Sequence, residues 1–263
     1  LRDRLGELNV EIREADARRA DSIGPATEGC DLIVDAVGLP LPAMRDHVSV
    51  AHSLAGLAAR SGARLLQISS FWSYFPIERL PLDESHPRRG GPGVARHRRD
   101  AEDILERAGA AVVQLPDFYG PGVGASTVQR AIEQAVAKGR FHWIGPTNLE
   151  RDAIFVPDAM RIVADLAARE EAYGERWLVP GSGPLTADEL AGLLGGCLGR
   201  TVRARAGPVW LLRLMGALSP ELRAFLPLAP HYAAPITYDG GKLRSLLGDT
   251  PRTPHEQAIA ATV

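Results

Sequence analysis

CDLIVDAVGLPLPAMRDHVSVAHSLAGLAARSGARLLQISS, residues 30–70, sets two short apolar runs on either side of a helical period. CDLIVDAVG (30–38) is a short apolar run ending in glycine, the pattern of a strand buried on both faces. Over 43–60 the apolar positions Val48, Ala51, Leu54, Ala55 and Ala58 recur at helical spacing, and Gly62 stops them. ARLLQISS (63–70) is then a second strand of the same kind. Two buried strands joined through a helix predict a parallel pair, because the crossover returns the chain to the same sheet end.

The same alternation continues outward. Upstream, NVEIREADA (9–17) alternates around Val10 and Ile12, which predicts a strand closing on Asp16, and a polar, helix-like stretch follows to about Thr27. Downstream, Asp100 to Arg107 belongs to a helix ended by Gly109, and AAVVQLPDFYGPG (110–122) is a strand running into a Gly/Pro turn. Residues 1–125 therefore predict an α/β core with a parallel sheet covered on both faces. Ligands of such sheets bind beyond the carboxyl ends of the strands. Those ends are Asp16, Ala36-Val37-Gly38, Ser69-Ser70 and Pro116-Asp117-Phe118-Tyr119.

After residue 125 the texture changes. Helices are expected over 126–138, 158–171 and 186–198, with short strands near 153–156 and 176–179. Thr186 opens the last helix, and Glu189 completes a capping box. Residues 126–263 read as a smaller, mainly helical substrate lobe with segments returning to the core. The apolar stretch 210–232 carries Trp210, Met215, Phe225 and Tyr232, and core packing explains it without a ligand.

Composition narrows the function classes. In 263 residues, a net charge of -2 gives no electrostatic reason to expect nucleic acid. Cys30 and Cys197 make neither a disulfide framework nor a zinc site unaided, so a reducing cytoplasm is the expected setting. The seven histidines show no metal-ligand spacing, and no apolar run reaches the ~20 residues that span a bilayer.

The order EADA (14–17), DLIVDAVG (31–38), LLQISS (65–70), AEDIL (101–105), DFYGPG (117–122) and IFVPDA (154–159) resembles the extended short-chain dehydrogenase/reductase superfamily. The resemblance is to its NAD-dependent epimerase/dehydratase group, and ERWLVPGSGPLTADEL (175–190) and residues 238–262 extend it over nearly the whole chain. It implies a Rossmann-like doubly wound sheet with a small C-terminal α/β lobe, NAD or NADP as cofactor, and a small-molecule substrate. It also implies a homodimer through the helices at 43–60 and about 94–107. Asp16 would meet the adenine amino group, and Ala36, Val37 and Gly38 would let the backbone approach the adenosine. Ser69, Pro116, Asp117 and Phe118 would line the remaining cofactor path, with Asp117 and Tyr119 turned to the substrate.

Two departures stand out. No G-x-x-G-x-x-G turn precedes Val10, so the pyrophosphate cradle is not in this sequence. A clipped sequence and a naturally short protein both explain that, and the second implies poor dinucleotide affinity. The family's Tyr and Lys positions align with Val94 and Arg98, and its Ser/Thr position aligns with Phe71. Arg98 can supply charge but not a general base. The remaining candidates for chemistry are Tyr119, Ser70 and Ser73, together with Arg98.

Three functions follow. One is an NAD(P)-dependent oxidoreductase of epimerase/dehydratase type with a non-standard site. The others are a cofactor-independent cyclase, isomerase, dehydratase or pseudoenzyme, and a cofactor-sensing binding protein.

Overall fold

The structure, a computed structural model, describes residues 10–91, 93–124, 126–207, 216 and 219–263. Its central sheet has four parallel strands in the order β1-β2-β3-β7. These are β1 (Leu32–Asp35), β2 (Arg64–Ser70), β3 (Ala111–Leu115) and β7 (Arg176–Leu178). Asp35 stands opposite Gln67, Ser70 opposite Leu115, and Val113 opposite Trp177.

Helices α2 (His47–Ser61) and α3 (Gly93–Arg107) cover one face of the sheet. The apolar contacts there run from Leu54 and Leu57 to Leu65, Ala101 and Leu105. Helices α5 (Val156–Ala167) and α8 (Gly241–Leu247) cover the other face around Leu66, Val113, Ile162 and Leu243. The fold is doubly wound, as the alternation of apolar runs and helical periods requires. Gly62 ends α2 in the left-handed region at φ 74°, where its N–H closes on Ala58 O.

The smaller lobe packs α4 (Thr127–Lys138) and α6 (Ala187–Leu198) around Phe141, Trp143, Leu190 and Leu194, with α9 (His255–Ala260) adding Ile259. Ser126 caps α4, and Thr186 with Glu189 forms the capping box on α6. A parallel ribbon of β5 (Arg140–Ile144) and β9 (Arg203–Gly207) borders the lobe. A short sheet of β4 (Asp117–Tyr119), β6 (Arg151–Phe155) and β8 (Pro184–Leu185) ties lobe to core. The seam between them is aromatic: Phe71, Tyr74, Phe75, Tyr232 and Tyr238 pack together, with Trp72 and Val94 against them.

One expected element does not form. Residues 10–19 carry no regular structure, and Val10 and Ile12 are 49% and 43% exposed. Alternation makes a strand only where a neighbour completes the ladder, and none lies beside this segment among the described residues. Asp16 therefore follows an irregular stretch and precedes α1 (Ala20–Thr27). Asn9, Trp210 and Met215 lie outside the described residues, whereas Phe225 and Tyr232 pack into the seam.

Candidate functional site

The carboxyl ends of β1, β2 and β3 meet α3 and the seam, and the polar side chains of the core concentrate there. At the end of β1, buried Asp35 accepts from the Val37 N–H at 3.1 Å and from Gln67 Nε2 at 3.0 Å. Burial pushes its carboxyl above the usual range, against the pull of those two bonds and of the Arg98 charge. The chain then leaves the sheet through exposed Ala36 and Gly38. A Cβ at Gly38 would meet nothing within 4 Å, so the fold itself does not demand glycine there.

Helix α3 sets Ala95, Arg98, Glu102 and Leu105 on one stripe toward the sheet, at the three- and four-residue steps of a helix face. Glu102 is fully buried. It accepts from Ser69, from Gln114 Nε2 at 2.8 Å and from Arg88 at 2.6 Å. Gln114 also donates to Ser73 at 3.0 Å and accepts from the Tyr74 hydroxyl at 2.9 Å.

Arg98 is half-buried, and its Nε is enclosed without a partner. Desolvation lowers its pKa, while Glu102 and Asp35 oppose that. His47, the first residue of α2, is 1% exposed, and neither ring nitrogen has a partner. Burial, helped by the Arg98 charge, pushes its pKa down to about 3, so the imidazole is neutral.

The third group lies on the seam. Asp117 opens β4 and is half-buried. Desolvation pushes its carboxyl up to about 6, opposed by the Arg151 charge and a hydrogen bond from Thr127. The Tyr232 hydroxyl accepts from Trp72 Nε1 at 2.9 Å and is held far above the usual phenol range by burial and by Asp117. Arg151, 3% exposed, donates to the carbonyls of Ile144 (2.6 Å) and Tyr232, and lies 5.0 and 5.3 Å from the ring centres of Trp143 and Tyr232.

No family model matches this sequence, and no curated protein matches it. Solved structures do match. The dTDP-glucose 4,6-dehydratase of Bacillus anthracis in complex with NAD superposes with a TM-score of 0.80 at 14% identity, covering 100% of this chain and 82% of that one. Epimerase Mth375 of Methanothermobacter thermautotrophicus gives 0.79 at 15% identity over 97% and 77% of the two chains. MoeE5 in complex with UDP-glucose and NAD gives 0.73 at 16% identity over 96% and 83%. The fold is that of NAD-binding dehydratases and epimerases. At these identities the likeness is one of fold.

Within this dehydratase/epimerase fold, Ser69, Ser73 and Arg98 gather around Glu102, and the two serine hydroxyls are taken up inside the protein. Ser70 points away from them on the other face of β2, its hydroxyl enclosed and without a partner. Val94 packs into the aromatic seam beside Trp72. Tyr119 is fully buried in the lobe, bonded at 2.7 Å to His255 Nδ1, and His255 Nε2 meets Gly183 O at 3.0 Å. A carbonyl only accepts, so His255 carries its proton on Nε2 and the Tyr119 hydroxyl donates to Nδ1. Burial, and Asp158 behind it, push this phenol upward.

Pro116 is buried between β3 and β4, and the carbonyl of Phe118 accepts from Ser126. Asp16 is held by Arg18 at 2.8 Å, which draws its carboxyl down to about 2, and Arg18 reaches Asp46 at 3.2 Å before α2.

Sequence reasoning missed His47, Gln67, Glu102, Gln114 and Arg151. The signal was present for two of them: Gln114 is the lone polar residue of the strand AVVQL, and Glu102 lies one helical turn after Arg98. Two shallow concavities of about 280 and 330 Å³ lie elsewhere, beside α8 and at the amino ends of β2 and β3. Among the described residues no group of three or more His, Cys, Asp or Glu is placed to hold a metal, and no helix is long and apolar enough to cross a membrane.

Proposed function

We propose that the chain binds a nicotinamide dinucleotide across the carboxyl ends of β1–β3 and acts, as an epimerase/dehydratase-like oxidoreductase with non-standard catalytic residues, on a small substrate bearing a hydroxyl or carbonyl. The observation that carries this is the superposition of the whole chain on an NAD-bound dehydratase at a TM-score of 0.80. The residues present fit such a group. The exposed backbone at Ala36 and Gly38, with free space beside Gly38, admits a nucleoside at van der Waals distance. Arg98, half-buried and within electrostatic reach of Asp35 at the end of β1, would supply positive charge on that path. When bound, the cofactor supplies hydride acceptance and donation, and the chain orients the substrate and moves its proton. Nucleotide sugars are the substrate class to test first, because MoeE5 was captured with UDP-glucose.

The test is a fluorescence titration of NADH and NADPH against the wild-type chain and Arg98→Ala. Saturable binding weakened by Arg98→Ala supports the reading; no binding to the wild type overturns it. A second reading rests on Val94, which puts an aliphatic side chain where the resemblance implies a proton-donating phenol. On that reading the protein holds the cofactor without turnover. Tight NADH binding with no oxidation or reduction of any hydroxyl or carbonyl compound would select it.

A further inference from the structure

The ribbon of β5 and β9 carries a one-sided charge pattern that the cofactor reading does not use. Phe141 and Trp143 turn inward from β5 into the lobe core, and Ala204 of β9 packs there with them. Successive side chains alternate across a strand, so Arg140 and His142, with Arg203 and Arg205, share the opposite face. All four are exposed. The parallel register sets Arg140 opposite Arg203 and His142 opposite Arg205.

Like charges directly opposite one another weaken a sheet. A guanidinium keeps its charge at every working pH, so Arg140 facing Arg203 opposes the pairing of the two strands. No carboxylate relieves it: among the described residues none of Arg140, Arg203 and Arg205 enters an ion pair within 4.0 Å. Arg200, by contrast, is bonded to the carbonyls of Ala135 and Val136. β9 has β5 as its one strand neighbour among the described residues, and Ala206 is exposed as well, so its far edge is open to another strand. Over the whole chain the net charge is -2, so this face is a local concentration of positive charge and not part of a general basicity.

We propose that this face is a docking site for an acidic segment of a partner protein, bound in extended conformation along β9. Alternate residues of an extended chain point to one side about 6.6–6.8 Å apart, the same repeat that carries β9 from Arg203 to Arg205. A segment with Asp or Glu at every second position therefore sets one carboxylate beside Arg203 and the next beside Arg205, across the ~5 Å between adjacent strands. Each cross-strand pair is then of opposite sign, and a guanidinium takes a carboxylate through two parallel hydrogen bonds. The charge of Arg140 adds to the attraction and its repulsion from Arg203 is offset. Nucleic acid is the poorer fit, because it presents a continuous run of phosphates and the ribbon offers one small basic face.

The experiment is fluorescence anisotropy of a labelled synthetic peptide of alternating glutamate and threonine against the whole chain. Two further probes accompany it: a peptide of the same composition with its glutamates in one block, and a single-stranded oligonucleotide. The expected result is saturable binding of the alternating peptide, tighter than that of either other probe and weakened as salt is raised. Arg203→Gln combined with Arg205→Gln should weaken it about tenfold, the worth of two exposed charge pairs. Arg203→Glu combined with Arg205→Glu should abolish it, and the unfolding midpoint of that variant should rise because carboxylates then stand opposite Arg140 and His142. No binding of the alternating peptide to the wild type would overturn the proposal. So would binding undiminished in the glutamine variant, equal or tighter binding of either other probe, or a midpoint that falls in the glutamate variant.

Discussion

Arg88 Nη2 lies 2.6 Å from Glu102 Oε2, and the two side chains are 9% and 0% exposed. The pair pins the segment before α3 onto that helix, and Arg88 also reaches Asp103 at 2.5 Å. Removing one partner strands a buried charge, so Arg88→Met should cost about 3–5 kcal/mol in urea unfolding. Burial already raises the Glu102 carboxyl, and without Arg88 it rises further. An acid raised in the folded state loses stability as pH rises, so the deficit should be larger at alkaline than at mildly acidic pH. Arg88→Met combined with Glu102→Gln, which removes both charges of this pair while Arg98 and Asp103 keep theirs, should recover part of it. An equal deficit in both variants at all pH values would contradict this account.

His47 sets a pH dependence of the opposite sense. Its folded pKa is lowered to about 3 from an ordinary value of 6.5, so below 6.5 the unfolded chain binds a proton that the folded chain refuses. This contribution to stability is full above 6.5 and is lost as pH falls toward 3. His47→Leu should therefore flatten the fall in unfolding free energy between neutral pH and pH 4.5, with the gap between variant and wild type closing or reversing toward the acid end. Parallel curves would show that His47 takes up its proton over the same pH range folded and unfolded, contrary to its burial.

The sheet was legible from its apolar runs, of which β3 is buried throughout, whereas β1, expected to be covered on both faces, lies at the sheet edge with Val34 46% exposed; Gly62, Thr186 and Glu189 announce helix ends by local chemistry alone. The segment around Val10 and Ile12 misled because its alternation is local, whereas a strand is a property of a pair. β9 was missed because RARAG offers only small alanines as its apolar face; Ala204 packs against the lobe core, and β5 lies beside the strand. The two polar groups of the site differ in the same way. Glu102 was readable in hindsight, four residues after Arg98 on a stripe with Ala95 and Leu105. Asp117, Arg151 and Tyr232 come from three distant parts of the chain and meet only through the seam, so no spacing betrays them.

Two glycines separate fold from site. A Cβ at Gly181 would lie 2.0 Å from Ala153 O, so Gly181→Ala must push β6 away and should cost at least about 2 kcal/mol. A Cβ at Gly38 meets nothing, so Gly38→Ala should leave the unfolding midpoint in place. The same methyl stands where the proposed nucleoside approaches, and NADH affinity should fall. Unchanged NADH affinity in a normally stable Gly38→Ala protein would remove this turn from the cofactor path.

Tyr119 separates structure from chemistry within the lobe. Its hydroxyl donates to His255 Nδ1 and has no exposed surface, and burial pushes its pKa upward, away from the range in which a phenol shuttles protons. Tyr119→Phe removes that donor and leaves a partly buried imidazole nitrogen unpaired, which should cost about 1–3 kcal/mol in thermal or urea unfolding. Below the unfolding temperature, turnover and its pH profile should match the wild type, because a buried phenol bonded to His255 keeps its proton. A rate that collapses in Tyr119→Phe while the fold and NADH binding persist would place the phenol at the reacting oxygen.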